Sequence, residues 1–165
     1  MLPAWFVFIA WSAGAFMGME LLSYLLHRWV FHGILWKIHI THHTRRTGLL
    51  EANDLFSFFF TGLAILLLVV GLSDPLGNPA FAIGTGMTIY GMLYFVVHDL
   101  MTHRRFFPMS PAMRWMAMVR RAHLAHHQSI EKKGREPFGL FLFPYEEFRE
   151  PRSKRGRPHG PGDEQ

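Results

Sequence analysis

The sequence predicts an all-α membrane protein with about three to four transmembrane helices and one membrane domain, residues 1 to 148. Three observations support this fold class. The chain has three long apolar segments, its basic residues all fall on one side of them, and ten of its eleven histidines follow the first and third segments. A basic tail rich in Pro, Gly and Arg, residues 149 to 165, is predicted to be disordered.

The three apolar segments are each long enough to cross a bilayer, which takes about 20 residues. They run from about 2 to 26, from 55 to 72 and from 79 to 97, and Glu20 is the one charged residue inside them. Three such segments leave almost no amphipathic helix to cover them, which disfavours buried helices of a soluble protein. No Lys or Arg precedes the first segment, so we expect a retained anchor instead of a cleaved signal peptide. A fourth span would have to lie near 138 to 144.

The distribution of basic residues predicts the orientation. With three spans, residues 27 to 54 and 98 to 165 share one side, and all 17 Lys and Arg residues fall there. The positive-inside rule makes that side cytoplasmic. No transit-peptide composition is visible, so we expect a bacterial inner membrane. The net charge of +5 is then an orientation signal that also suits contact with membrane lipids, and it does not indicate nucleic acid as a partner.

The histidines form four boxes of two kinds. H-x-x-x-x-H occurs at 27–32 and 98–103, and H-x-x-H-H occurs at 39–43 and 123–127. In an α-helix the second kind places three imidazoles on a stripe about 100° wide, where they can converge on one metal or on two adjacent metals. Residues i and i+5 lie about 140° apart, so the first kind converges only where the helix ends or distorts. Gly33 and Pro108 favour bends that hold His32 and His103.

Ten imidazoles are more than one ion can use, since zinc takes four ligands and octahedral metals take six. The count therefore predicts a dimetal site on the cytoplasmic side, and imidazole suits iron, copper, zinc or nickel. The absence of cysteine excludes iron–sulfur clusters and thiol nucleophiles. No Rossmann glycine pattern or haem motif is present, so electrons for redox chemistry would come from outside the chain.

The site is predicted to be capped by interfacial helices. The segment between His103 and His123 contains a helix-start signal at Ser110-Pro111, followed by an apolar stripe that includes Met113 and Met116 with basic flanks. Six basic residues near the boxes either form a docking surface for the electron donor or only contact anionic lipid head groups: Arg104, Arg105, Arg120, Arg121, Lys132 and Lys133.

Several stretches, "GMELLSYLLHRWVFHG", "HITHH", "EANDLF", "YFVVHDLMTHRRF", "RAHLAHHQ" and "FGLFLFP", carry a family resemblance from about Gly18 to about Pro144. The chain resembles the bacterial β-carotene 3-hydroxylases of the integral-membrane fatty acid hydroxylase superfamily. The resemblance implies a non-haem di-iron centre with two iron ions, O₂ as co-substrate and reduced ferredoxin as electron donor. It also implies hydroxylation of β-ionone rings at the 3-position, taking β-carotene to β-cryptoxanthin and then zeaxanthin. The metal ligands that it implies are His27, His32, His39, His42, His43, His98, His103, His123, His126 and His127.

Other residues and other functions stay open at this point. Glu20 is either a functional group or an interhelical hydrogen-bond partner, and Asp99 could orient an imidazole. Asn53 and Asp54 are interpreted as caps of the second span, with a ligand-orienting role as the alternative, and His159 in the tail is excluded from the site. The alternative enzymes are related hydroxylases, desaturases or ketolases acting on a fatty acyl chain, a sterol or another carotenoid position. A non-catalytic alternative is a membrane metal-binding or transport protein.

Overall fold

The computed structural model describes residues 2–44, 48–107 and 109–149, and the described part is helical without a β-strand. Three helical stretches are long and apolar enough to span a membrane, at Ala4–Ile34, Asp54–Gly71 and Pro79–Thr102. The prediction of an all-α membrane protein is confirmed. Residues 138–144 form no helix, so the described residues hold no fourth span. The elements in order are α1 (Ala4–Leu25), π1 (Leu26–Ile34), α2 (Trp36–His43), α3 (Asp54–Gly71), α4 (Pro79–Tyr94), π2 (Phe95–Thr102), α5 (Arg114–His127) and α6 (Tyr145–Phe148).

Helix α4 lies between α1 and α3, and small residues allow the close approach. A Cβ on Gly84 would stand 3.0 Å from the Ala64 carbonyl oxygen of α3, and one on Gly86 would collide with the Ser12 carbonyl of α1. The Ser12 hydroxyl also donates a hydrogen bond to the Ala82 carbonyl over 2.9 Å. Packing of this kind holds helices together in lipid, where burial of apolar side chains drives no association.

The exposed faces of the spans are apolar, as a lipid environment requires. Phe58, Phe59 and Leu66 on α3 are each more than half exposed. The one buried residue of α1 is Glu20, so polar and apolar positions are inverted relative to a soluble helix. Bilayer contact therefore explains this surface.

The first and third spans extend further than the apolar segments predict. Each passes from α-helix directly into a π-helix: π1 carries both histidines of the first H-x-x-x-x-H box, and π2 carries His98 of the second. The predicted bend after His32 lies at Gly33, whose dihedral angles of φ −108° and ψ −113° are not helical. His103 directly follows π2 as its C-cap. The helix distortion that the H-x-x-x-x-H spacing requires is therefore a π-helix at the end of each of these two spans.

A compact layer of chain covers the ends of the spans. Helix α5 begins at Arg114, close to the predicted start, but it continues through the second H-x-x-H-H box and so carries histidines as well as covering the site. Met113 is 58% exposed, whereas Val119 and Ala122 are buried. The non-helical segment 137–143 packs into this layer, where Leu140 joins the core cluster.

Candidate metal centre

Nine histidines form two groups in which the potential ligand nitrogens lie within 4.8 Å of one another. The tenth, His127, lies between the groups: its Nε2 is 2.9 Å from His123 Nε2, and its ring stacks on His43 with centroids 4.3 Å apart. The five-histidine group contains His27, His32, His39, His43 and His126, and the four-histidine group contains His42, His98, His103 and His123.

Each H-x-x-H-H box contributes to both groups. On α2, His39 and His43 belong to the five-histidine group and His42 to the four-histidine group. On α5, His126 belongs to the first and His123 to the second. Of the two outcomes that the stripe geometry allows, one metal or two adjacent metals, this division into two groups fits the second.

Each H-x-x-x-x-H box contributes to one group, because a π-helix brings residues i and i+5 together. The His103 N–H donates to the His98 carbonyl over 2.9 Å, and the two ring centroids are 4.6 Å apart. The rings of His27 and His32 have centroids 5.1 Å apart. The i→i+5 hydrogen-bond pattern defines the π-helix, which is rare and occurs frequently at functional sites.

All five rings of the five-histidine group hydrogen-bond to an uncharged oxygen through Nδ1. Four of these oxygens are main-chain carbonyls spaced three residues apart in one segment, 129–138, and the fifth is a side-chain amide. An acceptor at this position fixes the tautomer, with the proton on Nδ1. The pairs are His43 with Ser129 O (3.1 Å), His32 with Lys132 O (3.0 Å), His126 with Arg135 O, His27 with Phe138 O (2.6 Å) and His39 with Asn53 Oδ1 (2.7 Å).

The Nε2 atoms of the same rings face one another. His39 Nε2 lies 3.0 Å from His27 Nε2 and 3.2 Å from His43 Nε2. Because the protons are on Nδ1, these contacts join lone pair to lone pair, which is repulsive unless a cation lies between them. The donor set therefore fits a bound metal ion, with neutral imidazole Nε2 as the ligand atom.

In the four-histidine group, two rings face carboxylates. His42 Nδ1 donates to Glu51 Oε2 over 2.9 Å, and His98 Nδ1 lies 3.4 Å from Asp99 Oδ1. The Nε2 atoms again converge, with His42 and His98 3.0 Å apart. His103 and His123 are also 3.0 Å apart through Nε2. This group fits a second ion by the same chemistry.

Burial keeps the imidazoles neutral. It lowers the pKa of His39 to about 3 and of His43 to about 4. It also lowers the pKa of His126 to about 3, although its bond to the Arg135 carbonyl opposes this shift. The rings therefore present unprotonated nitrogens near neutral pH, as metal ligands must.

Arg105 is buried in an ionic network beside the four-histidine group. Its guanidinium donates to both oxygens of Asp54 at 2.6 Å each and to Asp99 Oδ1 at 3.0 Å. The carboxylates raise its pKa. This position contradicts the expectation that Arg105 belongs to an exposed docking surface, because its charge is already neutralised inside the protein. Of the other five basic residues predicted to form that surface, Arg104, Lys132 and Lys133 are exposed.

The stretch "EANDLF" supplies three residues that surround the histidine groups: Glu51, Asn53 and Asp54. The sequence analysis interpreted Asn53 and Asp54 first as helix caps and did not single out Glu51. Asn53 makes no capping hydrogen bond through its side chain, which instead bonds to His39. Asp54 does accept the Glu51 backbone N–H over 2.9 Å, but it also binds Arg105. The signal available in the sequence was a dense polar stretch directly before a span.

Glu20 makes the interhelical hydrogen bond that was one of its two interpretations. Its Oε2 accepts from the Tyr90 hydroxyl over 2.8 Å, so the carboxylate joins α1 to α4. Its Oε1 accepts from the backbone N–H groups of Phe141 and Leu142, each at 2.8 Å. Glu20 therefore fixes the buried segment 137–143, whose Phe138 carbonyl in turn holds His27.

A cavity of about 450 Å³ lies between the three spans and reaches the histidines. Both groups contribute to its inner end, through His27 and His39 from one and His42 and His98 from the other. Its walls are mainly apolar side chains of α1, α3 and α4. The size is within the range of ~300–1,000 Å³ that small-molecule sites occupy. The apolar side chains that line the cavity include Met19, Leu26, Phe31, Phe56, Phe60, Ile65, Leu68, Met87, Met92 and Phe95.

Comparison with known proteins shows the family. The fatty acid hydroxylase family model matches residues 12–148, which include all four histidine boxes. The chain belongs to the fatty acid hydroxylase family. Tail residues 150–165, including His159, lie outside the described residues, and so does Pro108, used above to predict a bend.

Proteins of similar sequence are named β-carotene hydroxylase or β-carotene 3-hydroxylase. A β-carotene hydroxylase of Pantoea ananas is 39% identical over 129 residues, covering 78% of this chain and 73% of the relative. One of Pseudescherichia vulneris is 40% identical over 125 residues, covering 75% and 70%. The chloroplastic β-carotene 3-hydroxylase 1 of Arabidopsis thaliana is 39% identical over 141 residues, covering 83% of this chain and 44% of the relative. No solved structure matches the chain.

Proposed function

We propose that the protein is a membrane di-iron monooxygenase that hydroxylates β-ionone rings of carotenoids at the 3-position, converting β-carotene to β-cryptoxanthin and zeaxanthin. The single observation that carries the proposal is the apolar cavity between the spans that ends on both histidine groups. The names of the bacterial relatives support a carotenoid as the substrate.

The substrate assignment agrees with the surroundings of the cavity. A carotenoid is dissolved in the bilayer, and the cavity walls belong to membrane-spanning helices. Phe31, Phe56 and Phe60 provide flat apolar surfaces against which a ring can pack. We propose that one ring of the substrate enters between the spans and that its C3 carbon stops at the inner end, near His39 and His42.

The proposed metal ligands are all ten box histidines, with one ion in each group and His127 between them. When bound, two iron ions would supply the O₂ activation that oxidation of an unactivated ring methylene needs, which no side chain can perform. The chain's own residues keep the Nε2 lone pairs free and aimed inward, through the acceptors on Nδ1. The buried segment 137–143 covers the centre and limits access of water.

We further propose reduced ferredoxin as the electron donor and the cytoplasmic face of a bacterial inner membrane as the location of the centre. The distribution of all 17 Lys and Arg residues on one side supports both proposals. Exposed Arg104, Lys132 and Lys133 provide a basic surface close to the boxes. An acidic donor would be steered toward such a surface.

The test is expression in a host that accumulates β-carotene, followed by chromatography of the pigments with and without O₂. We expect β-cryptoxanthin and zeaxanthin only in aerated cells. His42→Ala is the matched inactive control, because it removes one ligand and leaves the cavity. Unchanged β-carotene in aerated cells that contain folded, iron-loaded protein would contradict the proposal.

A further inference from the structure

The two metal sites have different outer partners. Among the described residues, the five-histidine group bonds through Nδ1 to four carbonyls and one amide, whereas His42 in the four-histidine group bonds to the Glu51 carboxylate. Asp99 adds a second carboxylate 3.4 Å from His98 Nδ1. We infer that Glu51 and Asn53 make the two metal sites chemically unequal, so that the four-histidine group binds its ion more tightly. This inference rests on the proposed function.

A carboxylate is a stronger acceptor than an amide oxygen, because it carries a full negative charge. A hydrogen bond from Nδ1–H to a carboxylate shifts electron density toward Nε2 and raises the basicity of the ring as a ligand. His42 therefore donates more strongly to its ion than His39 does to the other. The hydrogen bond between His42 and Glu51 lies in a desolvated place, where it is stronger than in water, since the Glu51 side chain is 9% exposed and that of His42 is 3% exposed.

Asp99 acts in the same direction. Arg105 shares its one positive charge between two carboxylates, Asp54 and Asp99, so Asp99 keeps part of its negative charge beside His98. Two rings of the four-histidine group therefore have a carboxylate beside Nδ1, whereas the Nδ1 partners of the five-histidine group are all uncharged oxygens.

The chain offers a matched pair of substitutions. Glu51 and Asn53 are two residues apart in the turn before α3, and they bond to His42 and His39, which are three residues apart on α2. Glu51→Gln removes a charge from one site, and Asn53→Asp adds a charge to the other. Both changes keep the size of the side chain, so the packing of the turn is preserved.

The experiment titrates the purified, metal-depleted full-length protein with Co²⁺ against a competing chelator and follows the visible absorption of the bound ion. We expect two binding events of unequal affinity in the parent protein. Glu51→Gln should weaken the tighter event about tenfold and leave the weaker one in place. Asn53→Asp should strengthen the weaker event by a similar factor, and the double variant should reverse the order of the two sites.

The inference is overturned if Glu51→Gln changes neither event or weakens both equally, or if Asn53→Asp weakens its site. Should Glu51→Gln fail to fold, the direction of the Asn53→Asp effect decides alone. These results are distinct from failure of the proposed function. A protein that binds two Co²⁺ ions unequally but leaves β-carotene unchanged retains the inference and loses the substrate, whereas a protein that binds no Co²⁺ loses both.

Discussion

The backbone N–H of His103 donates a hydrogen bond to the carbonyl oxygen of His98, five residues back along the chain, over 2.9 Å. A regular α-helix would bond His103 to residue 99 and point the two rings in different directions. The widened turn brings the rings to a centroid distance of 4.6 Å. In this chain the H-x-x-x-x-H spacing therefore accompanies a π-helical turn that brings two histidines together, and it occurs at the end of two spans.

Glu20 is expected to stabilise the position of segment 137–143 beside the histidines. Glu20→Ala leaves the buried Tyr90 hydroxyl and the partly buried N–H groups of Phe141 and Leu142 without their acceptor. The expected loss is roughly 3 kcal/mol or more of unfolding free energy, at about 1–3 kcal/mol for each unpaired group. Thermal unfolding in detergent, together with metal content, measures it.

Two variants serve as controls for the Glu20 prediction. Tyr90→Phe removes only one of the three hydrogen bonds and should cost about 1 kcal/mol. Leu21→Ala changes the neighbouring residue, which is 52% exposed, and should leave metal content unchanged. A Glu20→Ala protein as stable as the parent would show that segment 137–143 is held by other contacts.

Arg105 is expected to be structural. Arg105→Leu leaves Asp54 and Asp99 as unpaired buried carboxylates, and breaking a buried ion pair in this way costs about 3–5 kcal/mol. Arg104→Ala is the neighbouring control and should change stability by less than about 0.5 kcal/mol, because Arg104 is exposed. Chemical denaturation of both variants tests the contrast, and equal stabilities would contradict the assigned network.

Electron delivery is expected to depend on exposed basic residues. Replacing Lys132 and Lys133 by Glu should slow turnover at limiting ferredoxin, and added salt should slow the parent in the same way, since salt screens the attraction. Turnover with a small artificial reductant should stay near the parent value. The change leaves the Lys132 carbonyl, which bonds to His32, in place. Insensitivity to both salt and charge reversal would mean that these lysines serve lipid contact only.

The orientation is expected to place the turn between α3 and α4 on the side of the membrane opposite the cytoplasm and the C-terminus on the cytoplasmic side. Reporter fusions at Asn78 and at Gln165 should therefore give signals from opposite compartments. The prediction follows from the one-sided distribution of Lys and Arg. The same compartment signal from both fusions would contradict the three-span arrangement.

The sequence allowed prediction of the spans and of the convergence of the box histidines, because apolar length and box spacing are local properties. It did not predict which histidine belongs to which group. It did not identify the partners that orient the rings. Four of these are main-chain carbonyls of segment 129–138, and a carbonyl leaves no mark on residue type. The burial of Arg105 was also hidden, since it depends on Asp54, 51 residues away in the chain.

The type of helix at the two H-x-x-x-x-H boxes could not be predicted from the sequence either. The i, i+5 spacing indicated a distortion, and Gly33 correctly marked a break. Whether the distortion is a bend or a π-helix depends on the other histidine rings that these boxes contact, and those rings lie on α2 and α5. Tertiary packing therefore decided what the local pattern left open.

The central claim is that the ten box histidines hold two metal ions, and iron content per chain tests it most directly. The purified parent should contain two iron ions, one for each histidine group. His42→Ala and His126→Ala, each of which breaks one group, should lose iron and nearly all hydroxylation activity, whereas His159→Ala should match the parent. Full iron content and parent-level activity in both His42→Ala and His126→Ala would contradict the account.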